Sequence, residues 1–393
     1  MEVIILDGEQ KSALAAVRSL SRHGIRCIVG SSRKTGMALH SRYTAETFVY
    51  THPLKDKATF LDQVLVKCSA RSEKPILLAF SDASFLPLAR ERTRVLACAH
   101  MALPSPESIE IAFDKALTMD LAERIGIPIP QTRLIKKGEN LEILEHKLGF
   151  PLIIKPRHSA TWKERQGVSG SVIFAFSNQE LNNGIDAIEE SAGELPIVEE
   201  CIVGDEYGIE VMVNHGTVVQ WFAHKRIRSL SPTGGASVVK ESISLPDDLK
   251  EYTQRLMKEL LWHGPAMIEF KRDSKQGNKA YLLEVNGRFW GSLPLAVCAG
   301  VDFPFLYIEL IYGVIQNASI PYKSQVVTRY FLGDVKHILR VLFARDPMRS
   351  IAYPSRLKAL RNFCIVSPHT HYDVLSLRDP LPFFADVVNH LIQ

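Results

Sequence analysis

Short apolar runs and helical stripes alternate from the first residues of the chain onward. Glu2–Leu6 is a β run, Lys11–His23 carries Leu14, Val17 and Leu20 at helical spacing with Gly24 as its stop, and Ile25–Val29 is a second β run. Strand, helix, strand in this order predicts a βαβ unit and a parallel sheet. The alternation continues with a helix over Thr59–Ala70, a strand at Pro75–Phe80 and a helix entered through SDASFLPLARER. Residues 1 to about 110 therefore read as one small α/β domain. The first turn, DGEQKS, lacks the GxGxxG spacing, which weakens a dinucleotide-binding reading.

Ser105-Pro106 opens a short helix as N-cap and first-turn proline. A second helix starts near Lys115, shows Leu117, Leu121 and Ile125 on one face, and stops at Gly126-Ile127-Pro128-Ile129-Pro130. A helix around Leu141–Leu148 and a strand at Phe150–Lys155 follow. The next stretch, RHSATWKERQGVSGSV, has no hydrophobic periodicity and reads as a loop. Leu195–Ile202 is a strand, and the turn Val203–Gly208 leads into another at Ile209–Val213. Ala266–Lys271 and the run from Ala280 flank a polar, glycine-containing segment and predict an antiparallel hairpin. Further on, Val335, Ile338, Leu339 and Leu342 form an apolar helical stripe, and Tyr372–Pro382 reads as a peripheral loop.

That hairpin carries the sharpest chemistry. Glu284 and Asn286 lie two apart in the run AYLLEVNGRFWGS, so on a strand they share a face, and Arg288 brings a fixed charge to the same end. Glu269, in AMIEFK, can meet Glu284 across the pair. Two carboxylates with an amide oxygen suit a hard cation such as Mg²⁺ that also touches phosphate oxygens. The alternative is a salt-bridged Glu with a satisfied Asn. The loop after Lys155 is hydroxyl-rich, basic and glycine-containing, as a phosphate-covering loop needs; an exposed mobile loop is the alternative. Glu199 and Glu200 end a strand whose open backbone groups can pair with an adenine edge, with Glu206 beyond it to accept from hydroxyls. Ordinary strand-end charges would look the same.

Composition narrows the class. The 393 residues are 46% apolar and 23% charged, which suits two or three globular domains with ample core. The apolar stretch Leu293–Ile308 is broken by Asp302 and two prolines, so no membrane span is expected. The start, MEVIILDGE, lacks a basic n-region, so no secretory signal is expected. Six scattered cysteines without a CxxC pair suggest free thiols in a reducing cytoplasm. The net charge of +4 is uneven: Pro321–Gln393 holds ten Lys/Arg against five Asp/Glu. That marks either a basic surface for an anionic partner or a solvated helical face. No aromatic–basic interleaving suggests nucleic acid.

The order Lys115 … GIPIP … FPLIIKP … Gly/Ser loop … VEECIVGDE … MIEF … LLEVNGRFWGS resembles the ATP-grasp superfamily, in particular its carboxylate–amine ligases and the ATP-binding folds of carbamoyl-phosphate synthase. The resemblance implies an α/β architecture: an N-terminal Rossmann-like domain at 1–110, an ATP-grasp fold at 111–313, and a C-terminal, mostly helical extension at 314–393. Within the ATP-grasp part it implies a lid at about 125–200 and a metal-binding part at about 201–313. Lys115 and Lys155 would then contact ATP phosphates. Glu199 would lie by the adenine amino group, with the backbone of Glu200 and Ile202 holding the base, and Glu206 would bind ribose hydroxyls. Glu269, Glu284 and Asn286 would hold Mg²⁺ (Mn²⁺ is possible), usually as two ions. Arg288 would stabilise the transferred phosphoryl group or acyl phosphate, and Arg157–Ser171 would close over the triphosphate.

Lys225 or Arg228, in HKRIR, would meet the carboxylate substrate, surface charge being the alternative. The implied activity is an ATP-dependent ligase that converts a carboxylate to an acyl phosphate and joins it to an amine. A carboxylase or acid–thiol ligase component, and a nucleotide-binding module without chemistry, remain as alternatives. The expected partners are a small carboxylate and a small amine, possibly with a second copy of the chain.

Overall fold

The computed structural model describes residues 1–138, 141, 147–231, 234–315, 319–343, 354–365 and 370–392. Four short parallel strands open the chain: β1 (Glu2–Ile5), β2 (Arg26–Ser31), β3 (Thr44–Val49) and β4 (Ile76–Leu78), in the order β3-β2-β1-β4. Val3, Ile4 and Ile5 are fully buried on both faces of the sheet, as a doubly covered parallel strand requires. The helix Lys11–Arg22 packs its Leu14, Val17 and Leu20 inward and stops before Gly24, which adopts φ +70°. The expected βαβ opening is thus present. β3 escapes sequence reading because it is short, mixes polar and apolar residues, and buries none of them fully.

Helices Pro106–Phe113 and Lys115–Arg124 lead into a second sheet. It contains β5 (Thr132–Leu134), β6 (Leu152–Lys155), β9 (Ile173–Ala175) and β10 (Ile197–Glu200), ordered β5-β10-β6-β9 and antiparallel. It has its own core with helix Asn178–Ala192, built from Leu152, Ile154, Leu181, Ile185, Ile188 and Val198. The helix expected around Leu141–Leu148 falls largely outside the described residues. Between β6 and β9 the chain is not an irregular loop. It forms a β-hairpin, β7 (Ala160–Lys163) with β8 (Gln166–Ser169), turning at Glu164 with φ 54°. Its tip docks on the first domain: Gly167 N donates to Leu54 O at 2.7 Å, Lys57 N to Arg165 O at 3.0 Å, and Trp162 Nε1 to Pro53 O at 3.0 Å.

The third sheet is the largest. It runs β15-β14-β11-β12-β13-β16-β17, with β11 (Gly204–Asn214), β12 (Thr217–Ser231), β13 (Gly234–Ser242), β14 (Gly264–Asp273), β15 (Lys279–Asn286), β16 (Val327–Arg329) and β17 (Thr370–Tyr372). One face, with Ile209, Val211, Ala223, Ile268 and Phe270, belongs to a hydrophobic core shared with the first domain. The described C-terminal part has three helices, and its two short strands, β16 and β17, continue this sheet. In helix Phe331–Phe343 the buried face is Gly333, Asp334, His337, Ile338 and Val341, whereas Leu339 of the expected stripe is exposed. Nor is Tyr372–Pro382 peripheral: Asp373 and Asp379 are buried there, paired to Lys11 and Arg18. Leu293–Ala299 and Phe303–Ile311 are two buried helices bent 93° apart, and among the described residues no single helix is long and apolar enough to cross a membrane.

Candidate active site

Strand register builds the site. Residues directly opposite on neighbouring strands share a face, and Glu284, Glu269, Gly208 and His224 form one such row across β15, β14, β11 and β12. One row away stand Asn286, Met267 and Glu210, and on the other side Lys271 and Glu206. The β-bulge between Glu269 and Phe270 matters here. It lets Leu283 and Glu284 both reach the cavity, while Leu282 and Val285 go to the core. The whole face forms the floor of a cavity of about 800 Å³, roofed by Ile153, Lys155, Phe174 and Glu199 from the second sheet.

The sequence-predicted residues mostly converge on this cavity. Lys155, Glu199, Glu200, Ile202, Glu206, Glu269, Glu284, Asn286 and Arg288 all line it. Lys155 Nζ sits 2.5 Å from Glu199 Oε2, both buried. Burial works against the Lys155 charge, but Glu199, with Glu284 and Glu269 behind it, outweighs burial and raises the lysine above its usual range. The other oxygen of Glu199 is buried with no hydrogen-bond partner. Glu200 Oε1 accepts from Gln131 N at 2.9 Å. Glu206 accepts from Lys271 at 3.0 Å and from Arg226. Lys115 does not line the cavity. It starts the helix Lys115–Arg124, donates to Ser159 Oγ at 3.0 Å, and its charge reaches Glu284.

The carboxylates show what the site lacks on its own. Burial and the neighbouring Glu284 push Glu269 up to about 7, against the pull of Arg226. Burial also opposes ionisation of Glu284, yet Lys115 and Lys155 hold it below its usual range. Two adjacent carboxylates, one of them unwilling to ionise, fit a divalent cation that would compensate both. Among the described residues no three His, Cys, Asp or Glu side chains gather into a metal cluster, so Asn286 must complete any such set. Its amide Nδ2 donates to Glu284 at 3.1 Å and Glu269 at 3.3 Å, and its oxygen accepts from Arg288 at 2.9 Å. The amide oxygen expected beside the carboxylates is therefore turned to the arginine, and a cation would require the amide to rotate. Arg288 is also anchored on Asp82 of the first domain at 2.8 Å.

The segment after His224 is arranged differently from expectation. Alternation puts His224 and Arg226 in the cavity and Lys225 on the opposite face, paired with Asp205 at 2.6 Å. Past an irregular register Arg228 also misses the cavity and makes a two-pronged pair with Asp334. The polar and charged cavity residues not singled out as site residues in the sequence include Lys11, His224, Arg226, Lys271, Ser292 and Arg340. Strict period-2 reading of His224-Lys225-Arg226 against the neighbouring strand would have selected the right pair; nothing local marks Lys11 or Arg340.

Comparison with known proteins agrees with this geometry. Residues 194–331 match the family model described as "ATP-grasp in the biosynthetic pathway with Ter operon". The carbamoyl phosphate synthase large chain of Rubrobacter xylanophilus is 26% identical over 315 residues, which is 76% of this chain and 28% of that one. The D-alanine–D-alanine ligase of Ectopseudomonas mendocina is 27% identical over 220 residues, covering 51% of this chain and 65% of the relative. The chain thus spans little more than a quarter of the carbamoyl phosphate synthase it matches. Among solved structures, N5-carboxyaminoimidazole synthetase from Staphylococcus aureus superposes with TM-score 0.65 at 16% identity, covering 88% of this chain and 86% of that one. The L-amino acid ligase from Bacillus licheniformis gives TM-score 0.57 at 17% identity, covering 80% and 77%. The segment 194–331 is thus similar to an ATP-grasp family, and the fold of the chain is shared with these two solved structures.

Proposed function

We propose that this chain is an ATP-dependent ligase that activates a carboxylate as an acyl phosphate and joins it to an amine. The observation that carries the reading is one cavity holding Glu269, Glu284, Asn286 and Arg288 on its floor and the Lys155–Glu199 pair on its roof. Relatives named as D-alanine–D-alanine ligase and a neighbour named as L-amino acid ligase support it. In this reading the orphan oxygen of Glu199 accepts from the adenine amino group and Glu206 accepts from the ribose. Lys155 and Lys115 neutralise phosphate oxygens. Glu269, Glu284 and Asn286 would hold Mg²⁺ or Mn²⁺, which when bound supplies charge compensation for the triphosphate.

The chemistry follows from charge. A carboxylate is a poor electrophile because its oxygen will not leave. Its oxygen attacks the γ-phosphorus, the bond to the bridging oxygen breaks, and ADP departs. The amine nitrogen then attacks the acyl carbon, and inorganic phosphate leaves with the bonding electron pair. Arg288, fixed by Asp82 and Asn286, stands where negative charge spreads in both steps. We propose the same domain division as the sequence suggests, 1–110, 111–313 and 314–393, and a reducing, cytoplasmic setting in keeping with six free cysteines.

A second reading has its own support, since several structural neighbours are named as biotin carboxylases. Both are tested together by measuring ADP release with each proteinogenic amino acid, other small acids, and bicarbonate. Release that needs an amino acid supports the ligase, and release that needs bicarbonate supports a carboxylase. With the acid labelled by ¹⁸O in its carboxylate, the released phosphate should carry one labelled oxygen. Unlabelled phosphate, or AMP with pyrophosphate in place of ADP, would overturn the acyl-phosphate route.

A further inference from the structure

One ionisable group on the cavity floor has no part in the chemistry so far. His224 lines the cavity at the end of the row that holds Glu284 and Glu269, separated from Glu269 only by Gly208. The glycine is needed there. A Cβ on Gly208 would stand 2.1 Å from His224 Cε1, 2.8 Å from Nδ1 and 2.9 Å from Nε2. The imidazole therefore does not stand upright on β12; it lies across β11 and leans toward the carboxylates on β14. The strand spacing of about 4.8 Å puts the ring roughly one strand away from Glu269.

The ring is also backed. Glu210, fully buried, lies two residues from Gly208 on the same face of β11. Its Oε1 is 3.1 Å from His224 Nδ1, a charge contact that makes no hydrogen bond as the ring stands, and accepts from Ser292 Oγ at 2.5 Å, while its other oxygen has no partner. The buried carboxylate puts a negative charge beside the Nδ1 edge of the ring. The charged groups facing the ring are Glu210 on β11, Glu269 on β14 and Arg226 on β12 itself, with Lys11, Arg288 and Arg340 on the surrounding cavity wall. A histidine kept only for packing needs neither an opening onto the cavity nor a glycine beneath it.

A ligase has a use for this. Most amines reach neutral solution as ammonium ions, which have no lone pair and cannot attack an acyl phosphate. We propose that His224 is the general base that takes this proton, with Glu210 as the residue that positions it; the proposal rests on the ligase reading. The ammonium N–H gives its proton to Nε2, the freed nitrogen forms the C–N bond, the C–O bond to phosphate breaks, and phosphate leaves with the electron pair and takes up the second N–H proton as the neutral amide forms. The imidazolium, stabilised by Glu210, then returns the proton to solvent.

Hydroxylamine separates this role from the rest, because it is already neutral at pH 7 and needs no base. The assay supplies ATP, Mg²⁺ and each L-amino acid as the acid. Hydroxylamine or an L-amino acid serves as the amine, and ADP, hydroxamate and dipeptide are measured. His224→Gln should cut dipeptide formation by about a hundredfold or more, with a loss at least tenfold smaller for hydroxamate. Dipeptide formation by the variant should recover as pH rises and the amine loses its proton in solution. Glu210→Gln and Gly208→Ala should show the same split with smaller losses, in proteins whose melting temperatures confirm folding. Equal losses with both amines, or no loss of dipeptide, would overturn the base. If the unaltered protein releases no ADP and forms no hydroxamate with any acid, the ligase reading falls, a different outcome from failure of His224 alone.

Discussion

At the scale of single residues, the pair Lys155–Glu199 is the most exposed to test. Both groups are buried and each is the other's charge partner at 2.5 Å. Lys155→Ala should lower turnover by about two to three orders of magnitude, the scale of losing one positioned electrostatic contact. It should also lower the melting temperature, because Glu199 is left buried and unpaired. Normal turnover in steady-state assays would remove Lys155 from the chemistry. The gathering of Glu269, Glu284 and Asn286 was legible in the sequence because a strand has a period of two. What was not legible is how each side chain is spent once neighbours arrive. Asn286 gives its oxygen to Arg288, and Lys225 loses to Arg226 because one residue of register reverses the face.

Among the elements, the β7–β8 hairpin differs most from what the chain suggested. Glycine, serine and basic residues read as a loop, and tertiary contacts decide otherwise: a strand pair forms because the first domain receives its tip. Trp162 is the anchor, donating to Pro53 O and lying under Arg90, with the guanidinium carbon 5.8 Å from the ring centroid. Trp162→Ala should speed amide hydrogen exchange across 160–169 while leaving β11 and β14 unchanged. Unaltered exchange would mean that the hairpin holds without its dock. β16 and β17 were illegible for another reason. Each is three residues long, and their pairing joins positions more than forty apart, which no local pattern encodes.

β13 offers a pH test at the same scale. Lys240 is fully buried against Asp373, and burial, despite the aspartate, lowers it to about 8 from an ordinary 10.5. Between those values the unfolded chain binds more protons than the folded one, so this group's contribution rises with pH from 8 to 10.5 and its full penalty stands at pH 7. The melting temperature of Lys240→Met relative to the unaltered protein should therefore be most favourable at pH 7 and decline toward pH 10. A pH-independent difference would contradict the burial of that charge.

Across the whole molecule, Asp373, which directly follows β17, joins Lys11 of the first domain at 2.9 Å to Lys240 of the large sheet at 2.6 Å, and its backbone N donates to Arg329 O at 3.0 Å. Asp373→Asn leaves two buried or half-buried cations short of a counter-charge and should cost about 3–5 kcal/mol in urea unfolding. A loss below 1 kcal/mol would show that the joint is dispensable. Arg18 and Asp379 make a second tie of the same kind, 361 positions apart in sequence. These ties bear on the order in which the protein can assemble. During synthesis the first domain emerges with Lys11 and Arg18 unmatched, and their partners arrive only 362 and 361 positions later. The early domain must wait in an incompletely neutralised state, and these ties form by a long-range closure with a high entropic barrier.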